Sequence, residues 1–90
     1  MTSQVEMFKA LCRRYLDGQL CASDYLFAYE ELYISSEVTL SEREFVVFDG
    51  IYIINARFEP NGKIRKGDKY LIDENELQRL IQKSVSGLVS

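Results

Sequence analysis

A chain of 90 residues is about the size of one small domain and leaves little room for both a hydrophobic core and a deep catalytic cleft. With 47% hydrophobic residues, 28% charged residues and a single proline, Pro60, its composition excludes the profile of a disordered chain. The formal charge of −3 argues against a phosphate backbone as the main partner, because nucleic-acid binders gain affinity by releasing counterions with Lys and Arg, and it favours a basic partner instead.

The first element opens on Ser3-Gln4-Val5-Glu6, a capping box, and continues with Phe8, Leu11, Cys12, Tyr15 and Leu16 at helical spacing until Gly18 stops it. A second start follows at Cys21-Ala22-Ser23-Asp24, where either Cys21 or Ser23 can cap. Tyr25, Ala28, Tyr29, Leu32 and Tyr33 then form its buried stripe. The short link between the two implies an antiparallel pair. The run 34–39 has no stripe and reads as a connection.

Ser41 and Glu44 form the clearest capping box in the chain, with Leu40 and Phe45 placed as a hydrophobic staple. The continuation from Phe45 to Ile54 is contested. Its β-branched and aromatic residues around Asp49-Gly50 also fit a β-hairpin, whereas the caps fit a helix that is apolar nearly all round, as the most buried member of a bundle is. From Asn55 to Ile72, Pro60, Asn61, Gly62 and Gly67 predict a long turn-rich loop. The last helix starts at Asp73-Glu74-Asn75-Glu76 and turns Leu77, Leu80, Ile81 and Val85 inward before Gly87.

Catalytic constellations are scarce. There is no histidine, which removes the commonest general base and most zinc sites, and no glycine pattern that cradles phosphate. The carboxylates at the helix starts are explained by capping and dipole effects. Cys12 and Cys21, nine positions apart around Asp17-Gly18, could be bridged, but no framework spacing demands it and they read as buried, reduced thiols; neither a metal nor a cofactor is expected. No stretch approaches the roughly 18 apolar residues of a membrane span, and the amino terminus has no signal-peptide pattern, so a cytoplasmic location is expected. Lys63, Arg65, Lys66 and Lys69 are diluted by Asp68 and flanking acids, which favours a solvated loop face over a nucleic-acid patch. The residues alone therefore point to an acidic helical interaction module, equally suited to an adaptor or regulator that docks on a basic cellular protein.

One further pattern narrows that reading. Tyr15-Leu16-Asp17-Gly18-Gln19-Leu20, the aromatic second helix, Ala56-Arg57-Phe58-Glu59-Pro60 and Tyr70-Leu71-Ile72-Asp73-Glu74-Asn75-Glu76-Leu77 occur in an order that resembles the colicin D immunity protein family. That family includes immunity proteins of contact-dependent growth inhibition systems. The resemblance implies an all-α, antiparallel four-helix bundle with a long loop between helices 3 and 4. It also implies one-to-one binding to the nuclease domain of a tRNA-cleaving toxin, whose active site is blocked by acidic groups in place of tRNA phosphates. The expected toxin-binding residues are Glu59, which matches the family element, with Asp68, Asp73, Glu74, Asn55, Asn61 and Tyr52 around it. On a continuous helix Tyr52, Asn55 and Glu59 would share a face. The chain departs from the colicin D relative at Ala56 and Asn61, where that relative carries acids, and this implies a different cognate toxin.

Overall fold

The computed structural model describes residues 4–35 and 40–87, and over these the protein is all-α. The helices are α1 (Gln4–Leu16), α2 (Ala22–Ser35), α3 (Glu42–Ala56), the single-turn α4 (Gly62–Arg65) and α5 (Glu74–Ser86). α1 packs on α2, α2 on α3, α3 on α5, and α5 back on α1, so the four longer helices close a ring around one core. The capping residue expected at Ser3 and most of the connection expected at 34–39 lie outside the described residues. Ile34 and Ser35 themselves belong to α2.

The helix boundaries have local causes. Ser41 accepts from the Glu44 backbone N–H at 3.2 Å while the Glu44 carboxylate accepts from the Ser41 N–H at 3.0 Å, the reciprocal capping box. The Ser41 N–H, and after it the Ser41 hydroxyl, hold the Glu44 carboxyl below its ordinary range. At α5 the Asp73 carboxylate accepts from the Glu76 N–H at 2.9 Å. α1 stops at Gly18, whose φ of 81° is the left-handed conformation that lets the Gly18 and Gln19 N–H groups turn back onto Tyr15 and Arg14 carbonyls.

The segment with two readings, Phe45 to Ile54, is helix. Its cap fixes the start, and Phe48, Ile51 and Asn55 then fall on one buried stripe. It is not the wholly buried member expected from its composition. A ring of four helices leaves each one an outer side, and Val46 and Ile53 stay exposed at 64% and 48%.

Aromatic rings fill the core. Phe8 stacks on Phe48 with centroids 4.3 Å apart and tilts against Tyr29, and Tyr15 stacks on Tyr25 at 4.4 Å. Each such pair adds roughly 0.5–1.5 kcal/mol beyond its buried area. Cys12 is buried among them, and burial pushes its thiol up to about 11. Cys21, expected to be buried, is exposed because it precedes α2 and its backbone carbonyl, not its side chain, enters the helix. Both thiols are free.

Candidate binding site: the elbow after α3 and the α2–α3 seam

The tyrosines of α2 do more than pack. Tyr25, Tyr29 and Tyr33 recur every four residues, so their hydroxyls emerge along one line facing α3. Tyr25 donates to Asn55 Oδ1 at 3.1 Å, Tyr29 to the Phe48 carbonyl at 2.8 Å and Tyr33 to Asp49 Oδ1 at 2.5 Å. Burial raises the pKa of Tyr25 and Tyr29 far above the ordinary phenol range, so these hydroxyls remain donors. The Tyr33 ring also stacks on Tyr52 at 4.3 Å. These bonds fasten the seam and hold a concavity of about 250 Å³ lined by Leu26, Tyr29, Glu30, Tyr52, Asn55 and Ala56.

Beyond α3 the chain forms a braced elbow where only loop was expected. The Arg57 N–H closes α3, and the Arg57 guanidinium donates to the Tyr70 carbonyl at 2.8 Å while lying 4.9 Å over the Tyr70 ring. An isolated parallel bridge joins Phe58 to Ile72: the Glu59 N–H donates to the Ile72 carbonyl at 3.0 Å, and the Ile72 N–H to that of Arg57 at 2.9 Å. Asn61 caps α4 by accepting from the Lys63 N–H at 2.9 Å, and Arg65 donates back to the Glu59 carbonyl at 2.6 Å. Every partner is in place, although Gly62 and the brevity of the turn hide it from periodicity.

The expected site residues fall into three groups. Glu59 and Asn61 lie on the elbow, where the Asn61 N–H donates to Glu59 Oε2 at 3.1 Å, and exposed Asp68 lies further along the same connection, accepting from the Tyr70 N–H at 2.9 Å. Asp73 and Glu74 start α5. There Glu74 Oε2 accepts from the Tyr15 hydroxyl at 2.7 Å, which together with the larger effect of burial raises the Tyr15 pKa. Tyr52 and Asn55 line the seam concavity. No hydrogen bond among the described residues links one group to another. Glu59 does not share a helical face with Tyr52 and Asn55, because α3 ends at Ala56.

Two features of the seam were not anticipated. Leu26 and Glu30 complete the concavity from α2, and Asn55 Nδ2 is buried without a partner. The first has a sequence signal: α2 holds Asp24, Glu30 and Glu31 and no Lys or Arg at all. The second has none, since the isolation of one amide depends on how three helices meet.

Elsewhere, a wider apolar trough of about 580 Å³ runs between α1 and α2, with Arg14 and Glu31 on its lining. No group of acidic or cysteine side chains among the described residues could hold a metal ion, and no helix among them is long and apolar enough to cross a membrane. Comparison with models of known protein families, with curated proteins and with solved structures finds no match for this chain.

Proposed function

We propose that this chain is an immunity-type protein that binds the basic nuclease domain of a tRNA-cleaving bacterial toxin one to one and acts by obstruction rather than by catalysis. In this reading α1, α2, α3 and α5 form an antiparallel four-helix bundle, and carboxylates around the α3–α5 connection occupy the positions that tRNA phosphates take in the toxin. The protein works in the cytoplasm, where such a toxin acts.

The observation that carries the reading beyond sequence resemblance is the bracing of the Arg57-Phe58-Glu59-Pro60 element. A bridge, two guanidinium–carbonyl bonds and a capped helical turn hold the main chain around Glu59, and the Asn61 N–H donates to its carboxylate, before any partner arrives. A pre-set carboxylate loses little conformational entropy on binding, so more of its attraction for a basic groove appears as affinity.

The test is co-expression with the C-terminal nuclease domain of the toxin encoded beside this gene. Growth should be rescued and a one-to-one complex should co-purify; intoxicated cells and no complex would dismiss the reading. Within a complex, Glu59→Lys combined with Asp68→Lys should slow association.

A further inference from the structure

Tyr70 stands apart from the other tyrosines. Tyr15, Tyr25 and Tyr29 are buried and Tyr33 and Tyr52 pack against the core, whereas Tyr70 is 52% exposed on the connection between α3 and α5 and takes no part in the core. One exposed aromatic ring is ordinary on a protein surface. What sets this one apart is the number of ties that hold it. Its N–H donates to the Asp68 carboxylate at 2.9 Å, its carbonyl accepts from Arg57 Nε at 2.8 Å, and the Arg57 guanidinium lies 4.9 Å from the centre of its ring. Two residues further on, the Ile72 main chain bonds to the Arg57 carbonyl and the Glu59 N–H, so the arm that carries Tyr70 is fastened to the end of α3.

Each tie removes a different freedom. The turn closed by Asp68 and the bond from Arg57 fix the main chain on either side of the Tyr70 Cα, and the guanidinium over one ring face restrains the side chain. A tyrosine side chain has only two heavy-atom torsions, so a ring held in this way loses little more entropy when a partner closes on it. Its other face remains open, and its hydroxyl has no hydrogen-bond partner among the described residues. A rigid, half-exposed aromatic ring with an unused polar tip has the character of an interface anchor, for which tyrosine is among the favoured residues. The same Arg57 also belongs to the element that carries Glu59, so the ring and that carboxylate are fastened to one elbow.

We propose that Tyr70 is the aromatic anchor of the contact made at the elbow, its ring entering a pocket of the toxin nuclease domain, and that Arg57 is a positioning residue that acts through Tyr70. The inference rests on the reading above for the identity of the partner.

Two measurements test it. In the first, carbon-13 relaxation of the aromatic rings is recorded for the free full chain. The Tyr70 ring should be nearly as ordered as that of buried Tyr29, and Arg57→Lys, which keeps the charge but loses the planar group, should loosen it. A Tyr70 ring as mobile as that of Phe27, which is 67% exposed on α2, would overturn the proposal. In the second, binding to the nuclease domain of the toxin encoded beside this gene is measured for a cycle of variants. Tyr70→Ala should weaken binding about thirtyfold or more, chiefly through faster dissociation, and Arg57→Lys by roughly threefold to tenfold. Adding Arg57→Lys to Tyr70→Ala should cost nothing further; fully additive losses would show that Arg57 acts independently of the ring and would overturn its positioning role. If Tyr70→Ala binds as tightly as the unmodified chain while Glu59→Lys with Asp68→Lys still slows association, the anchor fails and the immunity reading stands. If the nuclease domain does not bind the unmodified chain, the immunity reading fails and the anchor falls with it. Thermal unfolding is followed for each variant, and a loss of affinity explained by the unfolded fraction of Tyr70→Ala would assign the ring a structural role instead.

Discussion

Replacing Tyr25 by Phe removes one oxygen from the most crowded polar point of the core. That hydroxyl is fully buried, donates to Asn55 Oδ1 at 3.1 Å and lies 3.9 Å from Cys12 Sγ. Asn55 is itself only 9% exposed, and its Nδ2 already lacks a partner, so the substitution leaves both ends of a buried amide unsatisfied. Stripping a buried acceptor of its donor costs about 1–3 kcal/mol, and in a domain of this size each kcal/mol lowers Tm by roughly 4–8 °C. Adding Asn55→Leu to Tyr25→Phe replaces the stranded amide with an apolar group of similar size. The double variant should regain the whole loss and exceed the parent, because the unpaired Nδ2 disappears as well. Urea unfolding followed by circular dichroism measures all three proteins, with an unchanged m-value confirming that only stability has moved. A double variant less stable than Tyr25→Phe alone would refute the account of Asn55 as an under-satisfied core group.

Five further outcomes follow from the same physical reasoning. Gly50→Ala should stabilise the protein by about 0.5–1 kcal/mol, since a Cβ there meets nothing within 4 Å inside α3, whereas Gly18→Ala should destabilise it because φ is 81°; chemical unfolding midpoints decide. Ser41→Ala should cost about 0.5–2 kcal/mol by opening the α3 cap. The carboxyls of Glu44, bonded to Ser41, and Glu76, bonded to Arg79, sit below the ordinary 4.5, so their stabilisation is present above that pH and is lost as pH falls through the lower folded values. The double variant Glu44→Gln, Glu76→Gln should therefore flatten the acid limb of a stability–pH curve. Burial raises the pKa of Cys12, Tyr15, Tyr25 and Tyr29, so their stabilisation is complete below the unfolded values of 9.0 for the thiol and 10.0 for the phenols and is lost as pH rises through the folded ones. At pH 8 a thiol reagent should modify Cys21 at once and Cys12 only on unfolding.

What the sequence made legible was local. The capping box of Ser41 and Glu44 placed the start of α3 and the Asp73 cap that of α5, and the spacing of Phe8, Cys12, Tyr15, Leu77, Ile81 and Val85 placed the core. The stretch from Phe45 to Ile54 was ambiguous because β-branched propensity and the cap disagreed, and the cap prevailed where packing against α2 and α5 rewarded the helix. α4 escaped detection because a single turn has no period; its signal was the side chain of Asn61. The tyrosine stripe was legible as packing, but not the hydroxyl bonds to α3, whose targets include a main-chain carbonyl. The seam concavity was hidden for a different reason: its lining comes from two helices, and it exists only when α2 is set beside α3.

The bridge between Phe58 and Ile72 has an evolutionary corollary. It works as a clasp, closing the chain excursion 59–71 at its base through main-chain groups, and such bonds place few demands on side-chain identity. Residues inside the clasp can be exchanged, and even added, without passing strain to α3 or α5. That excursion can therefore be rewritten while the helices are inherited intact.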